Sequence, residues 1–146
     1  MNQSTVVLYR PNLASSDEKS LISELVDALA ASGAISDAAG FKDAVWEREE
    51  QQRTWLGRDT ALPHARIPSV NQLALVIANH RTGIPWGGDD KLAHLFFLVA
   101  VPPNGGVDYL YLTQRITRAL RDDKRRGALL NAANAAALAK AWQADS

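Results

Sequence analysis

The chain has 146 residues, 47% hydrophobic and 22% charged, a composition typical of a soluble globular protein. Sixteen basic and sixteen acidic side chains cancel, which argues against nucleic acid or an anionic membrane as a partner bound by bulk charge. The absence of cysteine excludes disulfides, thiolate nucleophiles and cysteine-ligated metals. The N-terminus lacks the pattern of a signal peptide, and the longest apolar run, residues 95–101, is too short to span a bilayer. We therefore expect a cytoplasmic protein without membrane insertion.

The first third of the chain predicts one strand and two helices. Residues 5–9, TVVLY, are mainly β-branched or aromatic, which favours a strand. Ser15 and Glu18 have the spacing of a capping box, and apolar residues then recur at helical spacing as far as Gly33, a suitable stop. A second helix is predicted from Ser36. Its buried face would contain Phe41, Ala44 and Val45.

The middle of the chain predicts a loop and two buried strands. Residues 54–66 show no periodicity, whereas residues 73–78 and 92–101 are almost continuously apolar. Between these strands, a turn is predicted around Trp86 from Gly83, Pro85, Gly87 and Gly88. Residues 102–106, PPNGG, should end the second strand.

The last forty residues are predicted to be helical. One amphipathic helix would bury Leu110, Leu112, Ile116 and Leu120. A polar segment with the basic cluster 124–126, interpreted as a solvated helix end, precedes an alanine-rich helical stretch at 128–141. Apolar strands among amphipathic helices predict an α/β fold, a single layered domain over residues 1–146. Its sheet would be mixed and mostly parallel, with helices on both faces.

Known catalytic motifs are missing from the sequence. It contains no phosphate-binding glycine loop, no dinucleotide-binding glycine motif and no serine nucleophile elbow. Its three histidines, His64, His80 and His94, are too far apart in sequence for a local metal-binding pair, so no metal and no cofactor are predicted. His94 lies in an apolar strand and is interpreted as an edge or core residue, whereas His80 is interpreted as a surface residue at a strand end.

His64 has a different setting, the loop TALPHAR at residues 60–66. Neutral imidazole is a competent nucleophile toward phosphorus, and a phosphoryl group placed on it brings nearly two negative charges that need donors nearby. Pro63 restricts the backbone before the histidine, while Arg66 and Arg48 could supply guanidinium groups. On this chemistry alone, an exposed loop histidine without a function remains the better interpretation.

The longer stretch 46–66, WEREEQQRTWLGRDTALPHAR, changes that balance. Arg48-Glu49, Thr54, Gly57 and the run ALPHAR fall at the intervals of a known signature. It resembles that of the enzyme IIA domains of the bacterial phosphotransferase system, in the class that serves fructose, mannitol and nitrogen regulation. The similarity continues through GIPW at residues 83–86 and the strand that follows, and covers about residues 5–142.

The resemblance implies a phosphocarrier without a cofactor, free-standing in this chain. His64 would accept a phosphoryl group from an HPr-like protein and pass it to the IIB domain of a sugar permease. Arg48 would bind the phosphoryl group, with Arg66 as a second cation, and Thr54 would shape the site through its hydroxyl or by fixing the loop. Exposed apolar residues near the loop, first Trp55 and Leu56, could form the centre of the partner interface or simply pack on the core.

The sequence departs from the family pattern in three places. Tyr109 stands where the family usually carries a second active-site histidine, Asp108 precedes it, and Asp59 stands where glycine is favoured. Tyrosine donates a hydrogen bond but adds no positive charge. Two alternatives therefore stay open: a regulatory module that binds proteins according to its phosphorylation state, and a domain that no longer accepts phosphate.

Overall fold

The computed structural model describes residues 5–87 and 91–144. One strand and two helices are followed by five consecutive strands and then by three helices. The elements are β1 (Val6–Arg10), α1 (Glu18–Ser32), α2 (Ala38–Gln51), β2 (Trp55–Gly57), β3 (Thr60–Ala61), β4 (His64–Arg66), β5 (Ala74–Pro85), β6 (Leu92–Val101), α3 (Gly106–Arg121), α4 (Asp123–Asn131) and α5 (Ala135–Gln143). No helix in these two ranges is both long and apolar enough to cross a membrane.

The strands form one mixed sheet in the order β1-β5-β6-β3-β2, and β4 pairs with β6 farther along the same strand. Three pairings are parallel, namely β1 with β5, β3 with β6 and β4 with β6. The pairings of β5 with β6 and of β2 with β3 are antiparallel. The predicted α/β fold with a mixed, mostly parallel sheet is confirmed.

Alternation along β6 divides the core into two layers, because successive side chains point to opposite faces of a sheet. Phe96 and Leu98 pack with buried residues of α1 and α2, whereas Phe97 and Val99 pack with those of α3, α4 and α5. All four side chains are fully buried. A strand buried on both faces explains the continuous apolar run in the sequence.

The helix starts differ from their predicted caps. Asp17, and not Ser15, is the N-cap of α1, where its side chain accepts a hydrogen bond from the Ser20 amide. The capping box is wrong because Glu18 is bound instead by the Gly87 amide and Arg53. The second helix is capped by Asp37 and begins at Ala38, two residues after the predicted start. Its face buries Phe41 and Val45 fully and Ala44 partly, and Gly33 ends α1 with φ of 88°, as expected.

Three predictions in the second half were wrong in detail. The strand predicted at residues 73–78 continues to Pro85, so Gly83 and Pro85 lie in β5, and the turn begins after them (Gly88 lies outside the described residues). Leu110 is 54% exposed and does not belong to the buried face of α3. The C-terminal helical stretch is two helices, and the basic cluster opens α4, where Arg125 and Arg126 bond to the carbonyls of Trp142 and Leu120.

Candidate functional site

His64 begins the short strand β4, which runs parallel to β6 and places it opposite Val99. The next residue, Ala65, packs into the layer formed by α1 and α2, so alternation turns His64 toward the α3 side of the sheet. The loop reaches this position through a tight reversal, since Gly57, Arg58 and Asp59 all have φ between 53° and 78°. Asp59 therefore adopts the left-handed conformation that favours glycine, as aspartate can do.

The imidazole of His64 is held in one orientation by its own loop. Its Nδ1 lies 3.0 Å from the carbonyl oxygen of Leu62. A carbonyl only accepts hydrogen bonds, so Nδ1 carries the hydrogen and, in the neutral ring, Nε2 carries the lone pair. The ring is half-buried, and this burial is the main cause that lowers the pKa of His64 below its ordinary value of 6.5. The ring is therefore neutral at pH 7, with Nε2 as its nucleophilic atom.

Arg48 lies in the last turn of α2 and acts on this ring electrostatically. Its Nη1 donates to the Gln52 carbonyl at 3.1 Å, which fixes the guanidinium at the end of the helix. Its positive charge lowers the pKa of both His64 and Tyr109, although burial is the larger influence on each. The charge of Arg48 is thus close enough to affect the ionisation of both rings.

Tyr109 is in the first turn of α3 and packs beside the histidine. The two ring centres are 5.4 Å apart, with their planes tilted by 30°. Burial raises the pKa of Tyr109 above 10, against the opposing effect of Arg48, so the phenol is neutral at pH 7. The position named from the sequence therefore contacts His64 and offers one neutral O–H group.

Thr54 and Arg66 lie near the site but do not point their polar groups at the imidazole. The hydroxyl and amide of Thr54 both donate to the carboxylate of Glu49. Of the two predicted roles of Thr54, this geometry fits the fixing of the loop. The guanidinium of Arg66 donates through Nε and Nη2 to the Pro103 carbonyl, with Nε at 3.1 Å, and so is held at the loop before α3.

Sequence reasoning missed two features next to the site. Glu49 is buried beneath the loop, and its only signal was its place beside Arg48 in the motif. The other is an exposed apolar patch on α3, formed by Val107, Leu110 and Tyr111. Their i, i+3, i+4 spacing indicates one helix face, but it does not tell which face is covered. We call these three residues the α3 patch.

The other predicted contact residues and histidines have simpler roles. Leu56 is 40% exposed, while Trp55 is half-buried against the core. His80 lies within β5 rather than at a strand end, and donates from Nε2 to the Ser15 carbonyl while Nδ1 accepts from the Gly83 amide. His94 is half-buried in β6, with Nδ1 3.7 Å from Asp59. Within residues 5–87 and 91–144, no three His, Asp or Glu side chains are grouped as metal ligands.

Among the described residues, this geometry brings together the imidazole of His64, with its Nδ1 bonded to the Leu62 carbonyl, the charge of Arg48 and the phenol ring of Tyr109. Comparisons with known proteins identify the family. Residues 4–143 match the family model described as "Phosphoenolpyruvate-dependent sugar phosphotransferase system, EIIA 2". The chain belongs to this family, and its members are components of a phosphotransferase system.

Three similar proteins illustrate the relationship. The fructose-specific EIIA component of Haloferax volcanii is 33% identical over 109 residues, 74% of this chain and 71% of that protein. The fructose-specific EIIABC component of Bacillus subtilis is 30% identical over 122 residues, and these cover 83% of this chain but 19% of that protein. Mannitol enzyme IIA of Escherichia coli, solved in complex with phosphorylated IIB, has the same fold, with a TM-score of 0.80, 18% identity and coverage of 93% and 94%.

Proposed function

We propose that this chain is a phosphocarrier that accepts a phosphoryl group on Nε2 of His64 from an HPr-like protein and passes it to a IIB domain. The observation that carries the proposal is the bond between Nδ1 and the Leu62 carbonyl, which leaves the lone pair on Nε2. Membership of the EIIA 2 family supports the reaction class. Sugar uptake and phosphorylation would be completed by the permease to which the IIB domain belongs.

The proposed chemistry is an in-line transfer between two nucleophiles. The Nε2 lone pair attacks phosphorus, the bond from phosphorus to the donor's ring nitrogen breaks, and that electron pair returns to the donor. The His64 ring then has both nitrogens substituted, and the Leu62 carbonyl stabilises its positive charge through Nδ1–H. Arg48 and the Tyr109 hydroxyl would bind the phosphoryl oxygens, on which the charge of the migrating group is spread. Transfer to IIB reverses these bond changes at Nε2.

The α3 patch is the surface on which we propose that both partners dock. Val107, Leu110 and Tyr111 are between 54% and 65% exposed, and they lie in the first two turns of α3, the helix whose Tyr109 packs beside His64. A partner must bring its own reactive atom to within bonding distance of phosphorus, so its contact surface has to surround the histidine. Apolar residues there would form the dry centre of a small, transient interface. Because one patch serves both partners, donor and acceptor would bind in turn.

The site assignment is tested by phosphorylation with labelled phosphoenolpyruvate, enzyme I and HPr. We expect the wild-type chain to be labelled on histidine and the His64→Ala variant to stay unlabelled. His80→Gln and His94→Gln are the matched controls, and both should be labelled like the wild type. Full labelling of His64→Ala would show that another residue accepts the phosphoryl group.

The docking surface is tested with Leu110→Asp. This variant should slow phosphoryl transfer both from HPr and to IIB, because a charge in the dry centre costs desolvation energy. Leu92→Asp is the matched control, because Leu92 is also exposed (46%) but lies far from the site. It precedes Val99, the residue opposite His64, by seven residues of β6, or roughly 23 Å. Equal transfer rates in the two variants would place the docking surface elsewhere.

The alternative of a regulatory module is not favoured, because the matched family and the similar relatives are components of sugar transport systems. A rapid loss of label on mixing with IIB would distinguish transfer from a stable regulatory phospho-form. Exchange with these partners would take place in the cytoplasm, and we propose that location for the chain.

A further inference from the structure

Glu49 is a buried carboxylate directly behind the reactive loop. Its side chain is 0% exposed. A buried charge costs free energy unless hydrogen bonds or ion pairs compensate it, so the partners of Glu49 matter. Its oxygens accept the amide of Thr54 at 3.2 Å and the Thr54 hydroxyl, and Arg53 approaches to 3.8 Å. Two of these three contacts are therefore made to one residue of the loop.

Thr54 connects this carboxylate to the reactive ring through the backbone. Its carbonyl accepts the amide of Leu62 at 2.8 Å, and the carbonyl of Leu62 accepts Nδ1–H of His64 at 3.0 Å. The sequence of bonds from Glu49 through Thr54 and Leu62 to His64 is thus unbroken. A shift of Thr54 moves the Leu62 carbonyl, and that carbonyl decides which ring nitrogen carries the hydrogen.

The charge of Glu49 also reaches the ring. It raises the pKa of His64, in opposition to burial and to the cation of Arg48, while the remaining ring neighbour, Tyr109, is neutral. Replacing the carboxylate by an uncharged group therefore has an electrostatic effect at His64 as well as a geometric one.

We propose that Glu49 is a positioning residue that, through Thr54, holds the Leu62 carbonyl in place and so reserves Nε2 as the acceptor atom. The inference rests on the proposed phosphorylation of His64. Without this support the Nδ1 bond weakens and both tautomers are populated. Phosphorus can then bond to Nδ1 as well, and a phosphoryl group on that atom is misplaced for onward transfer.

The first test needs no phosphorylation, so it separates this inference from the proposed function. Nitrogen NMR of the imidazole reports the tautomer and the pKa of His64 in Glu49→Gln and in Thr54→Val. We expect the Nδ1–H tautomer to dominate in the wild type and its ratio to fall about fivefold in Thr54→Val, the equivalent of one ordinary hydrogen bond. Glu49→Gln should also lower the pKa of His64, since the charge that raises it is gone.

Matched variants separate positioning from general stability. Thr54→Ser keeps the hydroxyl and should restore the wild-type tautomer. Thr60→Val removes another buried threonine hydroxyl of the same loop, one that donates to the Arg58 carbonyl at 3.0 Å, and should leave the tautomer unchanged. If Thr54→Val is too unstable to measure, Glu49→Gln alone decides the question through the tautomer ratio and the pKa.

The second test examines the phosphorylated product by phosphorus NMR, which distinguishes the two phosphohistidine isomers. The wild type should give the Nε2 isomer, and Glu49→Gln and Thr54→Val should add the Nδ1 isomer and slow transfer to IIB. A wild-type tautomer ratio and a wild-type isomer pattern in both folded variants would overturn the inference. Failure to label the wild type would instead refute the proposed function. The positioning role of Glu49 would then be decided by the tautomer ratio alone.

Discussion

Replacing Arg48 by glutamine should strongly reduce the rate of phosphoryl transfer while changing the free energy of unfolding only slightly. The incoming group carries about −1.5 to −2 charges near neutral pH. Arg48 is fixed at the end of α2 and its charge is felt at both His64 and Tyr109. A charge-assisted hydrogen bond contributes about 1.5–3 kcal/mol, so its loss should reduce phosphoryl transfer by roughly 10- to 150-fold.

The structural cost of the same change is small. The bond from Arg48 to the Gln52 carbonyl is solvent-exposed, and its loss should lower the free energy of unfolding by no more than about 1 kcal/mol. Quenched-flow transfer from phosphorylated HPr, with thermal melts of each variant, separates the two effects. Arg48→Lys keeps the charge but not the fork of donors and should lie between the wild type and Arg48→Gln.

Arg118→Gln is the matched control because it removes the same charge from an exposed position of α3. It should transfer phosphate as the wild type does. Removal of Arg48 should also raise the pKa of His64, since its cation lowers it. Wild-type rates and an unchanged pKa in Arg48→Gln would refute the role given to this guanidinium.

Four further predictions concern pH and stability. Burial lowers the pKa of His64 below 6.5, so the rate of phosphoryl acceptance should fall as the pH is lowered, with a midpoint below pH 6.5. A higher midpoint in rapid-mixing assays would contradict this. Below pH 6.5 the unfolded state binds more protons at this residue, so acidification should destabilise the wild type more than His64→Gln in denaturant titrations. Gly127→Ala should stabilise the fold by about 0.5–1 kcal/mol, because the added Cβ would lie in open space on α4. Gly83→Ala should destabilise the fold by about 1–3 kcal/mol, because Gly83 has φ of 89° and an added Cβ would lie 2.7 Å from a ring nitrogen of His94. Urea unfolding checks the pair, and equal shifts would be inconsistent with the geometry. Asn79→Ala, which removes bonds to the carbonyls of Leu129 and Ala132 and to the Asn12 amide, should cost about 2–4 kcal/mol in calorimetry, far more than exposed Asn131→Ala.

The elements that could be predicted from the sequence are those whose signal is local. β6 was predicted with its exact limits, since a strand buried on both faces needs an uninterrupted apolar run between two breakers. Gly33 was predicted as the end of α1 because a left-handed residue there favours glycine. His64 was singled out by a specific motif, and Tyr109 was named because the resemblance aligns it with the family's second active-site histidine.

The features that could not be predicted depend on contacts between distant residues. The alanine-rich C-terminal stretch favours a helix throughout, yet it breaks after Asn131, where Asn79 bonds to the carbonyls of Leu129 and Ala132 from 50 and 53 residues away. Helical spacing predicts Leu110 on the buried face, but the rotation of α3 that brings Tyr109 against His64 turns Leu110 outward. Neither fact is contained in a local pattern.

The tyrosine beside His64 has a consequence for how the site balances charge. Burial already keeps the imidazole neutral, and a neutral phenol adds nothing that would change this. A second cation there would bind a phosphoryl group more tightly, but it would also lower the pKa of His64 further and make departure of the group harder. Arg48 lowers the pKa of both rings, and Glu49 raises the pKa of His64. We therefore expect the orientation of the imidazole to matter as much as the surrounding charge for binding the phosphoryl group. The orientation of the imidazole, and hence the Leu62 carbonyl, then becomes the feature on which transfer depends most.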